Sequence, residues 1–490
     1  SSSRGVAPSS TCTHLETGVT LMVHDPSPSR SYRLGWMDPV EYAYESRPGL
    51  DEQLIRDIAE RKRESPEVLE RRLNALHAFR QLPMPEWGGG GMLNQINFND
   101  IRYYVVPSRG PAAEWGEVPI VIRSTFERLE MPLAEQTVLS GLSAQYDSEV
   151  VYHRNRAELD RQGVIFTDMD TAVREHWDLV SRYVGTVVPV DDNKFAALNS
   201  AVWSGGSFLY VPAGVHIERP LQAYFRINAD RLGQFERSLI VVEEGGYAHY
   251  IDGCSAAVLS AASLHAGVIE VVVKEGARCR VTGLQNWSRS VYNLVTKRAV
   301  AHAGATMEWI DGNIGACLTM NYPSVRLAGP EAHGEVLSIG YAGRGQYQDT
   351  GAKMFHLAPA TSSLVTSKSI CRDGGRAGYR GVVHIEDGAR QSRSFVRCDS
   401  LILDQESRSE TFPTIEDGER TAQVGHEATV SRVSEDQLFY MMSRGLDEDE
   451  ATSMLVAGFI EPVMRELPLA CAVEINRLIA LDMEAAGAVG

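Results

Sequence analysis

Through the middle of the chain, β-branched apolar runs alternate with short corners built on small residues. The corners read VEEGGYAHYI at Gly246, VKEGARCRV at Gly276, AHAGATMEWI at Gly304, GPEAHGEVL at Ala332, LAPATSSLV at Ala360, IEDGARQSR at Gly388 and IEDGERTAQ at Gly418. They lie 30, 28, 28, 28, 28 and 30 residues apart, and an eighth, VPAGVHI at Gly214, comes 32 earlier. A fixed period of this size that pairs strands with tight corners is the mark of a solenoid, in which each coil buries its apolar face on the next. Small corner residues permit φ > 0, and Val/Ile/Leu runs suit buried parallel strands. The pattern predicts a parallel β-helix over residues 195–430 and a mainly β protein.

Outside that span the period changes. Residues 1–32, rich in Ser, Pro and Thr, have no apolar period and read as a disordered tail. A helix is predicted from Asp51, with Leu54, Ile55 and Ile58 on one face. A second has Ser65 as N-cap, Pro66 at its first position and a stripe of Leu69, Leu73 and Leu76. The glycine run 88–91 with Met92 reads as a loop that breaks the helical pattern. With the mixed stretch that follows, residues 33–194 form an N-terminal helical and α/β adaptor. After the solenoid, residues 431–490 return to helical spacing. Ser434 with Gln437 and Asp447 with Glu450 fit capping boxes. Pro462 and Pro468 break the pattern before a last helix, LACAVEINRLIALDMEAA. Such helices also hide the open end of a stacked β-structure.

Composition narrows the function. Hydrophobic content of 43% against 23% charged residues is that of a globular chain with a large core. No apolar run approaches the roughly 18 residues of a membrane span, and no signal-peptide core opens the chain. A net charge of −17 argues against nucleic-acid and anionic-membrane surfaces. Cys12, Cys254, Cys279, Cys317, Cys371, Cys398 and Cys471 are odd in number and scattered, with no CxxC, as expected of free thiols in a reducing cytoplasm.

Stacking supplies a geometric test for chemistry. Measured from their corners, Cys254, Gln285, Trp287, Cys398, His426 and Glu427 fall 8, 9, 11, 10, 8 and 9 residues on, one narrow band of the coil. Cys398 is then one coil, about 5 Å, from His426 and Glu427. Thiolate, imidazole and carboxylate together suit iron or zinc. Cys254 is five coils, about 24 Å, from Cys398, too far for direct exchange. Plainer readings apply to other residues. Cys279, Cys317, Cys371 and Cys471 read as small buried hydrophobes, and Trp287 and Tyr292 as packing. GHEAT at 425–429 lacks the second His of a zinc-protease motif, since position 430 is Val430. GRGQYQDTGAK at 343–353 lacks the Gly-Lys-Ser/Thr of a P-loop, so the chain is not expected to hydrolyse ATP alone.

Several stretches closely resemble the SufB family, scaffold subunits of the SUF iron–sulfur cluster assembly system. They include QAYFRIN (222–228), GQFERSLIV (233–241), QNWS (285–288), YNLVTKR (292–298), DTGAKM (349–354), RCDS (397–400), GHEAT and SEDQLFY (434–440). The resemblance runs from about residue 35 to the C-terminus. It implies a β-helix core between helical regions, and an assembly role rather than catalysis. It further implies partnership with a SufD-type paralogue, with a SufC-type ABC ATPase held by the C-terminal helices, and with a cysteine desulfurase and its SufE- or SufU-type carrier. Carried over by position, Cys254 would accept sulfane sulfur, and Arg226, Asn228, Gln285, Trp287 and Lys297 would line its route. Cys398, His426 and Glu427 would hold the nascent cluster and its iron. Reduced flavin is left open as a further ligand of the complex, and self-association is the default for the isolated chain. Two departures stand out: Gly425 replaces an acidic residue before the His, and Cys12 stands alone where some relatives carry a cysteine-rich motif.

Two other classes compete. A SufD-like structural paralogue would lack the Cys398, His426 and Glu427 set. A β-helix polysaccharide lyase or hydrolase would need clustered carboxylates or bases in an open groove, and the sequence offers no paired-carboxylate motif.

Overall fold

The computed structural model describes residues 37–107, 112, 114–128, 139–257, 262–467, 471–473 and 475–479. The tail expected over 1–32, Pro468 and part of the last helix fall outside them. The core is a parallel β-solenoid of about eight turns with helices at both ends. Each coil contributes one strand to each of two sheets. The first sheet runs Gly141–Tyr146, Leu221–Ile227, Tyr247–Ala256, Arg278–Trp287, Thr306–Gly315, His333–Ala342, Ser362–Cys371, Arg393–Ile402 and Gln423–Arg432, each parallel to the next. The second stacks the intervening strands, ending at Tyr347–His356, Arg376–Ile385 and Arg408–Asp417. At the N-terminal end both sheets are closed by antiparallel strands, Glu149–Asn155 and Ile165–Asp168. Among the described residues no strand pairs beyond Gln423–Arg432 and Arg408–Asp417 at the far end, where Phe412, Ile415 and Val430 are exposed.

The corners explain the period and correct three of its positions, the third being Gly418, which precedes its turn and has no left-handed φ. The left-handed residues are Gly214, Gly245, Gly276, Gly304, Glu331, Ala360 and Gly388. The turn therefore centres on Gly245 and Glu331, one residue before the Gly246 and Ala332 read from the sequence. Gly246 is instead pressed between Glu243 O and Val242, and Ala332 is fully buried, so both sit at the start of the next strand.

Strand alternation divides each strand between two environments. Interior positions such as Val281, Met307, Trp309, Val336 and Val365 form one apolar core. Outward positions of the first sheet, Ile251, Ile310 and Leu337, pack with Val456, Ile460 and Val463 of helix Glu448–Met464. A side chain at Gly312 would collide with Ile475, so that glycine admits the C-terminal helical segment. Helices Glu52–Lys62 and Pro66–Gln81 cover the second sheet, where Leu54, Ile55 and Leu76 meet Leu294, Leu318 and Met320.

Local signals hold with some corrections. Asp51 and Ser65 cap their helices as expected. The second helix buries Val68, Arg72, Ala75, Leu76 and Phe79, with Leu69 and Leu73 half-buried against the same core and Arg72 paired to Glu64. The glycine run is a 3₁₀ helix, Gly89–Gln95, because Leu93 is buried and Gly89 packs on Leu318. The reciprocal capping box forms at Asp447 and Glu450, and Ser434 caps Gln437 N–H. Pro462 lies inside helix Glu448–Met464 instead of ending it. Burial of Val463 and Met464 carries the helix past the single lost hydrogen bond.

Candidate functional site

Strand register sorts the solenoid interior into columns. One is apolar along the first sheet: Tyr250, Val281, Trp309, Val336, Val365 and Val396, ending on His426. Two residues further along each strand, still facing inward, the character changes to Asp252, Gly283, Asp311, Ser338, Ser367 and Cys398. Beside that lies a third column, Cys254, Gln285, Asn313, Gly340, Ser369 and Ser400. Two adjoining polar columns thus run through five strand spacings, about 24 Å, and end near one cysteine on each side.

At the first end Gln285 Nε2 lies 3.3 Å from Cys254 Sγ and 3.3 Å from Asp252 Oδ2, and Trp287 Nε1 donates to Gln285 Oε1 at 2.9 Å. The Trp287 ring lies against His265, centroids 4.4 Å apart, and His265 Nε2 is 2.6 Å from Glu236 Oε1. Midway, Lys297 Nζ donates to Asp311 Oδ1 at 2.6 Å, and Asn321 Nδ2 reaches Asp311 Oδ2 at 3.3 Å and Asn313 Oδ1 at 3.1 Å. Gly283 leaves room for this pair, since a Cβ would displace the Asp311 carboxylate and come within 2.6 Å of Lys297 Nζ. Ser338 Oγ donates to Ser367 Oγ at 3.1 Å, and Cys398 Sγ lies 3.9 Å from His426 Nε2.

Burial dominates the electrostatics. It pushes the Cys254 thiol well above its usual range, with Asp252 and Glu236 adding to the shift while Gln285 and Lys297 oppose it. Burial raises the Asp252 carboxyl to about 6 against the pull of Lys297. For Lys297, burial alone would lower the ammonium, but Asp311 and Asp252 outweigh it and the shift is upward. Cys398 is pushed up to about 12 by burial, eased by the Tyr379 hydroxyl and reinforced by Asp399. Both thiols therefore rest protonated until a cation or a metal reaches them.

The structure brings together most, not all, of the sequence-predicted residues. Cys254, Gln285, Trp287 and Lys297 share the interior, and Cys398 meets His426. Glu427 does not join them. It pairs with Arg397, so strand alternation turns it to the opposite face from Cys398 and His426. Arg226 and Asn228 also face outward: Arg226 pairs with Ser255 and donates to its Oγ, while Asn228 Nδ2 donates to Asp38 O and its backbone N–H to Asp147 Oδ1. They tie the N-terminal region to the solenoid instead of lining its interior. Asp252 and Asp311 escaped the sequence reading, as did Glu236 and His265. A signal for the aspartates was present: YIDGC at 250–254 and WIDGN at 309–313 repeat one motif two coils apart. Among the described residues no helix is long and apolar enough to cross a membrane.

Comparison with known proteins gives the class. Residues 225–459 match the family described as SUF system FeS cluster assembly, SufBD core domain, and residues 141–223 match the SufBD protein N-terminal region. The chain belongs to the SufBD family of iron–sulfur cluster assembly proteins. It is 52% identical over 459 residues to the iron–sulfur cluster assembly protein SufB of Bacillus subtilis (strain 168), covering 94% of this chain and 98% of that one. It shows the same identity and coverage to SufBD family proteins of Staphylococcus haemolyticus (strain JCSC1435), over 459 residues, and Staphylococcus saprophyticus, over 460.

Proposed function

We propose that this chain is the scaffold on which the cluster is built. Sulfane sulfur is accepted at Cys254, moves along the polar columns past Gln285, Trp287 and Lys297, and meets iron at Cys398 and His426. The observation that carries this reading is the pair of in-register polar columns that joins two buried cysteines which cannot touch. Acceptance is a simple exchange: the Cys254 thiolate attacks the outer sulfur of a carrier persulfide, the donor S–S bond breaks and the carrier thiolate leaves. Reduction of that sulfur to sulfide takes two electrons, which we assign to a reductant of the reduced-flavin class in the working complex. Iron and sulfide are cargo here, and the cluster is handed on.

The donor is a cysteine desulfurase with its SufE- or SufU-type carrier. A SufD-type paralogue fits the uncapped end of the solenoid, where Phe395, Phe412, Ile415 and Val430 are exposed beside Cys398 and His426. Without it, the same edge would pair a second copy. The SufC-type ATPase fits the C-terminal helices Glu435–Ser443 and Glu448–Met464, which expose Phe439, Tyr440, Met442 and Met454. The cysteines among the described residues are free thiols, which suits a reducing cytoplasm.

Anaerobic reconstitution with iron and sulfide, alone and with the ATPase partner, tests the cluster end. Cys398→Ala should lose the visible cluster absorbance, and an unchanged spectrum rejects the assignment. Mass spectrometry after incubation with desulfurase and carrier tests the other end: the Cys254 peptide should gain one sulfur, and no gain rejects the acceptor role.

A further inference from the structure

The opposite end of the polar interior gathers a second set of metal-ligating side chains. Glu236, Cys254 and His265, all buried, present one ligand atom each, and these atoms lie within 4.8 Å of one another. We infer that they bind a divalent, thiophilic metal ion of the zinc or ferrous class. This site is separate from Cys398 and His426 and independent of whether Cys254 accepts sulfur.

Four observations support it. Thiolate, imidazole and carboxylate are the donor set such ions take, in tetrahedral sites with bonds of roughly 2.0–2.3 Å. Glu236 is 3% exposed, and its Oε2 has no hydrogen-bond partner, so a buried carboxylate oxygen lacks the cation or donor it needs. His265 Nδ1 lies 2.7 Å from Asn293 Oδ1. Donation there leaves the Nε2 lone pair for a metal, the second-shell arrangement of metal-bound histidines. Gly267 keeps the space open, because a Cβ on it would collide with Glu236 Oε1 and approach His265 Nε2 to 3.2 Å. The charge balance agrees: the buried Asp252 carboxyl meets Lys297 and His265 as opposing charges and Glu236 and Asp311 as like charges.

Binding parts the 2.6 Å pair of His265 and Glu236, draws the sulfur in and releases two protons to solvent, the thiol proton and the one shared by His265 Nε2 and Glu236. The ion then fills the fourth position with water or with Asp252, whose Oδ1 is 3.7 Å from Cys254 Sγ.

Cobalt(II) is the probe. The full-length chain carrying Cys398→Ala is given Co²⁺ anaerobically after purification and, in parallel, through the growth medium. A thiolate-to-cobalt charge-transfer band with tetrahedral ligand-field bands is expected, saturating at one ion per chain. Cys254→Ser should abolish the charge-transfer band, and Glu236→Gln or His265→Gln should each weaken binding at least 10-fold. Asn293→Ala, which spares every ligand, should weaken it by about 10- to 100-fold while circular dichroism stays unchanged. Absence of the band under both loading regimes, or its survival in Cys254→Ser, overturns the inference. The persulfide mass gain at Cys254 is read without metal, so either conclusion can fail alone.

Discussion

Replacing Lys297 with Met should expose how the polar interior is held together. The side chain is completely buried and its partner Asp311 is 1% exposed. Met keeps the length of the stem and deletes the ammonium, leaving Asp311 with only the Asn321 amide and Asp252 without its nearest cation. Removing one partner of a buried ion pair costs about 3–5 kcal/mol, because an uncompensated charge is left in a low-dielectric interior. At about 1.4 kcal/mol per tenfold change, local opening of strands Val291–Ala301 and Thr306–Gly315 should become roughly 10²- to 10³-fold more frequent. Amide hydrogen exchange resolved to those strands reads this directly, without requiring the whole chain to unfold in two states. The double variant Lys297→Met/Asp311→Asn should recover at least about half of the loss, since paired neutral groups avoid the charge penalty.

The pH dependence fixes the sign. The Asp252 carboxyl titrates near 6 in the folded chain against about 3.9 unfolded. Its burial therefore weakens the fold above pH 6, and that penalty disappears as pH falls toward its unfolded value. Without Lys297 the Asp252 carboxyl rises further, so the deficit of Lys297→Met must shrink on acidification. A deficit below about 1 kcal/mol at neutral pH, or one that grows as pH falls, would refute the electrostatic account.

Two further outcomes are expected. Gly283→Ala should cost about 1–3 kcal/mol through overpacking and lower cluster yield in reconstitution while the Cys254 persulfide still forms, because its Cβ displaces the Lys297–Asp311 pair midway between the cysteines. His249 and His356 titrate near 4 through burial, with Arg280 and His333 respectively adding to the shift. Both bind protons more tightly when unfolded, at about 6.5. The histidines' contribution should thus be complete above pH 6.5 and be lost toward pH 4, by up to about 3 kcal/mol per histidine, against the opposite slope from Asp252. The slope in urea midpoints should flatten in His356→Gln.

The period of the corners carried the fold because small residues and positive φ are local requirements that any reader of the chain can see. A one-residue error at Gly246 and Ala332 did not damage the stacking, since every coil is free to shift its corner by one without changing which coil follows. Face assignment was far less forgiving. A one-residue change in register turns a side chain to the other side of the sheet, and this is what separates Glu427 from His426 and Arg226 from Cys254. Corner offsets, good to a residue or two, could pair Cys398 with His426 yet could not tell inward from outward. Glu236 and His265 were invisible for another reason. They enter from shorter, irregular strands and loops of the second sheet, where the offset from a corner carries no phase.

The interior columns supply the strongest internal control. Within the same strands, two residues apart, one column stays apolar for six coils while its neighbour carries carboxylates, hydroxyls and a thiol. Both face the same core and share the same backbone, so the solenoid's architecture does not demand polar residues there. Valine or leucine at Asp252, Asp311, Ser338 and Ser367 would be neutral or stabilising if packing were the only requirement, since buried ion pairs seldom exceed well-packed apolar replacements. The apolar column gives way at its last described rung, where His426 arrives beside Cys398. The carboxylates, hydroxyls and thiol of the neighbouring columns, which packing alone does not explain, are what the proposed transport of a charged or soft species through the core would require.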